Sequence, residues 1–254
     1  MRIYQGFCAE YTNLLESVTA DQRPTFGQQL IQNQLILRGK KNGWYAAHDI
    51  FYCRLNNGSE EISVKNWIDP TVHASTLTGD VAWTSNGGLS SVIGGAVEND
   101  WDSSTDAVNY QLNDGTMWVF VKPDNTTSLH ALFYNTLNPA ISNTQFYLDA
   151  GALCWNRFNF PDVTAEQDAS YAASDNFFGL RRTTAANYDI LVGKTSTNKA
   201  VASVSISGGT FNEMLIGGIG SSIPFYFSGV ANGSFDKNLL IDDLTWYAQQ
   251  IGVI

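Results

Sequence analysis

The apolar positions of this chain change their spacing once, near residue 60. Before that point they recur every three or four residues, and after it every second residue. The first regime is helical. A short helical pattern runs from Tyr11 to Val18, and Thr19 to Pro24 (TADQRP) then reads as a helix start. Thr19 and Asp21 carry the acceptors an N-cap needs, and Pro24 is tolerated in a first turn. Phe26, Leu30, Leu35 and Leu37, with Ile31 between them, make a broad apolar face. Arg38, Lys40 and Lys41 fall in the last turn, where cations complement the helix dipole, and Asn42-Gly43 supplies a left-handed ending. A second stripe follows through Trp44, Ala47, His48, Phe51, Tyr52 and Leu55, stopped by Asn56-Asn57-Gly58-Ser59. The spacing predicts a helical hairpin over 10–55. Its stripes are too apolar to be left in water, so they must cap the rest of the fold or meet another subunit.

The second regime predicts short strands at 81–84, 108–112, 117–121, 129–134, 144–149, 176–181, 189–192, 200–205, 213–216 and 225–229. Asn86-Gly87-Gly88, Asn113-Asp114-Gly115, Lys122-Pro123-Asp124-Asn125, Ser207-Gly208-Gly209 and Ala231-Asn232-Gly233 separate them as turns. Many short strands at this spacing indicate a mainly β fold, a two-sheet antiparallel sandwich. A last short helix opens at Asp242-Asp243. No solenoid-period repeat and no low-complexity linker interrupts the chain.

Residues 66–121 carry a resemblance. They contain NWIDP (Asn66 to Pro70), VAWTSNGGLSSVIGG (Val81 to Gly95) and VNYQLNDGTMWVFV (Val108 to Val121). An Asn-Trp-x-x-Pro segment after a helical leader, then a Thr-x-x-Gly-Gly turn, resembles bacteriophage virion proteins with a concanavalin A-like (laminin G-like) jelly-roll domain. The resemblance implies an arm over 1–9, a helical attachment hairpin over 10–60 and a jelly-roll domain over 61–254. It also implies a protein made in the bacterial cytoplasm and displayed on the virion surface as a capsid decoration or head fibre. Its partners would be other virion proteins and further copies of itself, a trimer by analogy with phage fibres. A tail-associated receptor-binding module and a carbohydrate-active enzyme are the competing readings.

Charge sharpens the boundary. Residues 1–65 hold seven Lys/Arg against six Asp/Glu, while residues 66–254 hold seven against eighteen, a net −11. Such acidity excludes nucleic acid as a partner, because phosphate binding needs a basic footprint. Cys8, Cys53 and Cys154 are odd in number and have no metal or redox spacing, so they read as buried free thiols. Tyr4, Gln5 and Glu10 interrupt any secretory apolar run after Met1-Arg2, and no stretch is long enough to insert in a membrane.

Candidate chemistry is sparse. Glucanases of this fold carry paired carboxylates as Glu-x-Asp-x-x-Glu or Glu-x-Asp-x-Glu on one strand. Neither occurs here: Glu98 and Glu166 each have an Asp two residues on, but neither has the closing Glu, and Glu98 heads a loop. No catalytic residue, cofactor or metal ligand set is therefore assigned. The run Glu98, Asp100, Asp102 and Asp106 reads as a solvated loop, with calcium as its functional alternative. Trp101, Asp102, Trp155, Asn156, Phe158 and Tyr171 are the candidate glycan contacts, because loop aromatics beside Asn and Asp offer a pyranose both a flat apolar face and polar partners. Phe160 joins Trp155, Asn156, Phe158 and Tyr171 in 150–175, the longest irregular segment. Phe26, Leu30, Trp44 and Phe51 are the candidate attachment or oligomer contacts. His48, His73 and His130 have no metal spacing, and Gly217-Gly218-Ile219-Gly220 lacks a dinucleotide fingerprint.

Overall fold

Gly115 to Val121 (GTMWVFV) is buried at every position, so this strand has apolar cover on both of its faces. It lies in the middle of the fold seen in a computed structural model. The structure describes residues 6–55, 58–84, 88–91, 96–103, 105–111, 113–122, 130–134, 143–149, 153–160, 166–172, 174–184, 186–200, 213–214 and 223–254. In chain order the elements are α1 (Ala9–Glu16), a 3-10 turn (Ala20–Gln22), α2 (Phe26–Asn42), α3 (Trp44–Ala47), β1 (His48–Cys53) and α4 (Glu60–Ser63). Strands β2 (Thr76–Thr78), β3 (Val81–Thr84), β4 (Gly88–Ser91), β5 (Ala96–Glu98), β6 (Gly115–Val121), β7 (His130–Tyr134) and β8 (Asn143–Asp149) follow. Then come β9 (Leu153–Phe160), β10 (Glu166–Ser170), β11 (Phe177–Arg182), β12 (Asn187–Val192), β13 (Thr195–Ala200), β14 (Glu213–Met214), β15 (Phe225–Ala231) and α5 (Lys237–Gln250).

Among the described residues all strand pairings are antiparallel. The main sheet runs β13-β12-β11-β6-β15-β4-β3, with β1 also on β15; β10-β9-β8-β7 form a second sheet and β14-β5-β2 a third. Alternation along the main sheet builds two cores. Trp118, Phe120, Phe177, Phe51 and Phe227 point to one side, where Tyr11 and Leu14 of α1, Leu35 and Ile36 of α2, and Leu240, Leu244 and Tyr247 of α5 cover them. Met117, Val119, Val121, Phe178, Leu180 and Ile190 point to the other, against Leu132, Phe146 and Leu148 of the second sheet. The result is a mainly β, antiparallel sandwich with a helical layer on one outer face.

The leader is part of that body. The segment expected to be the second helix makes one helical turn and then β1, whose residues 50–53 pair with residues 227–230. A strand buried on both faces is almost continuously apolar, so its pattern fits a helical stripe equally well. Phe51 and Cys53 face the helices while Ile50 and Tyr52 face the second sheet. Residues 10–60 thus share one core with the sandwich, and the change of hydrophobic period near residue 60 is not a break in packing.

Local boundaries moved for identifiable reasons. α2 starts at Phe26 because Arg23, ahead of Pro24, is extended (ψ 140°), as a residue before proline prefers. Thr25, not Thr19 or Asp21, is the N-cap, with Gln28 reaching back to the Thr25 N–H at 2.7 Å. The expected left-handed stop is there, Gly43 at φ +80°. Where a strand was expected over 108–112, residues 108–111 form a loop and Leu112 lies outside the described residues. Residues 153–160 and 166–170, read as irregular, are strands. Strand 200–205 lies outside the described residues beyond Ala200, as does 215–216. The last helix opens at Asp236, whose carboxylate caps Asn238 and Leu239, rather than at Asp242.

The NWIDP motif has a structural job. Asn66 Oδ1 accepts the N–H groups of Phe51 and Ile68, both at 3.1 Å, and its Nδ2 donates to Asp49 O. Trp67 donates its backbone N–H to Phe51 O at 2.8 Å and stands its ring edge-on to Phe51. The motif covers the edge of β1 that β15 leaves open, which protects it from pairing with another chain.

Candidate functional site

Where β1 meets β15, the helical layer and the main sheet leave a shallow cleft of about 380 Å³. Asn42, Gly43 and Ala46 line one wall, from the end of α2 into α3; Asn232, Ser234 and Asp236 line the other, between β15 and α5. Each polar side chain here is held by one of its atoms. Asn42 Nδ2 donates to the buried Asp243 at 2.8 Å. Asn232 Oδ1 accepts from Ser234 N and Oγ, each at 3.1 Å. Asp236 Oδ1 accepts from Asn238 N at 2.9 Å. The Asn232 backbone N–H donates to Ala47 O at 3.0 Å and its carbonyl accepts from Thr116 Oγ1 at 3.0 Å, so the two walls are stitched together. Phe235 forms the base, with the Arg181 guanidinium 5.0 Å from its ring centroid and the His48 ring 5.2 Å away.

The sequence flagged Asn42-Gly43 and Asn232-Gly233 only as turns. Their meeting depends on the antiparallel pairing of β1 with β15, a relationship across some 180 residues that no local pattern carries.

None of the predicted glycan contacts is among the residues that line this cleft. Trp101 is fully buried, edge-on to Tyr110 at 5.7 Å, and Tyr171 is buried edge-on to Phe178 at 5.6 Å. Both are loop residues whose rings serve as core anchors, so neither offers a face to a sugar. Asp102 opens a tight turn in which Asp106 accepts its backbone N–H at 2.7 Å. Trp155, Asn156 and Phe158 sit on β9, an inner strand of the second sheet rather than a loop. Trp155 pairs with Tyr147 and Gln167, and Asn156 with Phe146 and Glu166.

The acidic run is divided. Glu98 is on β5, Asp100 meets His73 Nδ1 at 3.0 Å, and Asp106 closes the turn. Among the described residues no His, Cys, Asp and Glu group could hold a metal ion. One register was not legible in the sequence: Glu98 stands opposite Glu213 of β14.

The predicted attachment residues split into two pairs. Trp44 and Phe51 are fully buried, 5.3 Å apart between ring centroids, inside this chain's own core. Their apolar stripe is satisfied by β6 and β15, so they are not interface residues. Phe26 and Leu30 are on the outer face of α2, 53% and 40% exposed, and Leu37 continues the same stripe at 39%.

No family model matches this chain, and no curated protein matches it. Solved structures do. The receptor binding domain of botulinum neurotoxin D is similar over 82% of this chain and 54% of that one, at 7% identity and a TM-score of 0.57. Trypanosoma rangeli sialidase, in its complex with 2,3-difluorosialic acid, is similar over 90% of this chain and 40% of its own, at 10% identity and a TM-score of 0.56. A structure of botulinum neurotoxin type C, whose cell entry depends on two ganglioside molecules, is similar over 68% of this chain and 47% of its own, at 12% identity and a TM-score of 0.50. This chain spans about half the length of these structures or less. At such identities the likeness shows the fold, an antiparallel β-sandwich, and nothing finer.

Proposed function

We propose that this is a non-enzymatic bacteriophage virion protein, a capsid decoration or head-fibre subunit, fixed through its helical layer with the acidic sandwich facing outward toward host glycan. The observation that carries it is the placing of exposed apolar side chains. Phe26, Leu30 and Leu37 of α2, Leu239 of α5 and the adjacent Ile254 are all exposed on or beside the helical layer. Only Val72 and Val108 among large exposed apolar residues described lie elsewhere. Concentrated exposed apolar surface marks an interface. Arg38, Lys40 and Lys41 of α2 and Lys237 of α5 balance Glu10 and Glu16 of α1 and Asp242 and Asp243 of α5, so the excess acid lies on the sandwich, where it keeps neighbouring subunits apart. The phage assignment itself rests on the resemblance of residues 66–121.

Mass spectrometry of purified particles, followed by immunogold labelling, tests this reading. The protein is expected as a stoichiometric component, and Phe26→Ser with Leu30→Ser is expected to leave it folded but absent from particles. Normal incorporation of that double variant, or absence of the wild type from particles, overturns it. A tail-associated receptor-binding module is the second reading, favoured by the likeness to toxin receptor-binding domains; labelling at the tail would select it. The register of Glu98 opposite Glu213 favours the enzymatic reading, which release of sugar from host glycan by wild type but not by Glu98→Gln would establish.

A further inference from the structure

We infer that the cleft between α3 and the β15–α5 connection is a binding site for a neutral saccharide, one uncharged pyranose ring at a time. This rests on the glycan-facing part of the proposed function and gives it a location and a ligand class.

Three properties of the cleft lead there. Its volume, about 380 Å³, lies at the small end of ligand pockets and suits a single sugar ring. Its free hydrogen-bonding atoms are mixed in kind. With Asn42 Nδ2 bound to Asp243, the Asn42 Oδ1 is left as an acceptor. With Asn232 Oδ1 occupied by Ser234, the Asn232 Nδ2 is left as a donor. Asp236 Oδ1 caps α5, which leaves Oδ2 as a second acceptor, and the Ser234 oxygen keeps lone pairs of its own. A hydroxyl both donates and accepts, so vicinal sugar hydroxyls match alternating acceptors and donors better than any one-signed ligand does. Because each side chain is already pinned through its other atom, little side-chain entropy is lost when a ligand arrives.

The third property is charge. Among the described residues, Asp236 is the sole charged one that lines the cleft. The nearby cations are engaged elsewhere: Arg181 donates to Thr116 Oγ1 and Phe235 O, and Lys237 Nζ to Lys194 O and Asn238 Oδ1. An anionic sugar or a phosphate would meet the Asp236 carboxylate directly, while Arg181 and Lys237, which offset that charge, do not line the cleft. The methyl of Ala46, which is exposed, gives the ring's apolar face a small surface to rest on. No exposed aromatic platform is present in the cleft, since Phe235 is buried, so a single ring binds on the order of millimolar and tight binding requires many copies.

The test is NMR of the full-length, isotope-labelled protein titrated with glucose, galactose, mannose, N-acetylglucosamine and, as a charged control, free N-acetylneuraminic acid. The expected result is saturable shifts of the Asn42 and Asn232 side-chain amides with at least one neutral sugar and none with N-acetylneuraminic acid. Ala46→Trp fills the cleft from an exposed position, and Ser234→Ala removes one wall hydroxyl; the first should abolish the shifts and the second weaken binding several-fold. Shifts that persist in Ala46→Trp, that map away from the cleft, or that appear only with N-acetylneuraminic acid overturn this site while leaving glycan recognition by the protein intact. No shift with any sugar also overturns it, and particle incorporation of the protein, measured separately, then stands or falls by itself.

Discussion

His48 and Trp118 are joined by a hydrogen bond in the centre of the helix-facing core: the indole N–H of Trp118 donates to His48 Nε2 at 2.8 Å. The other ring nitrogen, Nδ1, lies 2.6 Å from Trp44 O and is therefore the protonated one. Both nitrogens are used in the neutral form, and a second ring proton would point at the Trp118 donor. Burial pushes the His48 pKa down to about 4, the Trp44 carbonyl opposing this only in part.

That depression predicts acid sensitivity. As pH falls below the ordinary histidine value of about 6.5, the unfolded chain takes up a proton that the folded chain refuses until about 4. Stability from His48 is thus complete above pH 6.5 and is lost as pH drops through that window, by about 3 kcal/mol in all. Urea denaturation between pH 7 and 4 should show a steeper loss for wild type than for His48→Gln, whose amide does not titrate. Parallel profiles would show that His48 is not responsible.

Asp243 should be the costliest single carboxylate in the helical layer. It is fully buried on α5 and accepts from Arg38 Nε at 2.7 Å and from Asn42 Nδ2 and Trp44 Nε1 at 2.8 Å. Asp243→Ala strands two of those donors in the core and frees a guanidinium that is one-third exposed, so a loss of about 3 kcal/mol is expected. Arg38→Ala should cost less, because Asn42 and Trp44 still satisfy the carboxylate. Thermal denaturation of the two variants gives the order; the reverse order would mean that the cation, not the carboxylate, organises the layer.

Asp49 holds a loop that sequence pattern mistook for a strand. Its carboxylate accepts the backbone N–H groups of Val108 (3.2 Å), Asn109 (2.7 Å) and Tyr110 (2.9 Å), and Val108 is left 82% exposed at the tip. The alternation in Val108 to Tyr110 has the period of a strand, but its amides are bonded to a side chain. Asp49→Ala should cost about 1–3 kcal/mol and make these three amides exchange far faster in hydrogen–deuterium exchange. Unchanged protection at 108–110 would refute the clasp.

The sheet class was readable because β6, β11, β12 and β15 all carry dense apolar runs between turn residues. What escaped were relationships set by distant chain segments. Phe51 and Tyr52 look like one helical stripe in sequence, yet they are opposite faces of a strand completed by β15. Trp101 and Tyr171 look like exposed loop rings, yet each is buried edge-on to a partner ring, Tyr110 and Phe178, that sequence alone does not place beside it. Cleft residues such as Asn42 and Asn232 are individually unremarkable turn formers; only the register of His48 with Ala231 brings their segments together.

Truncation separates the sequence-based domain boundary from the packed one. If residues 1–55 were a detachable leader, their removal would leave a soluble sandwich. The structure predicts the opposite. Removing them strips β1 from β15, exposing the backbone groups of residues 227–231, and takes α1, α2 and β1 off the face of Trp118, Phe120, Phe177 and Phe227, which α5 then covers only in part. A long unpaired edge beside a wide apolar face is an aggregation template. The fragment 56–254 should therefore be insoluble or lack cooperative unfolding. The milder deletion of residues 1–7 takes away Phe7, which meets Tyr11 and Phe26 at ring-centroid distances of 5.2 and 6.1 Å, and leaves every strand and α1 in place. That protein should remain folded and lose no more than about 2–5 kcal/mol. Expression, size-exclusion chromatography and thermal denaturation of the two truncations decide the matter: a folded, monodisperse 56–254 fragment would restore the boundary near residue 60.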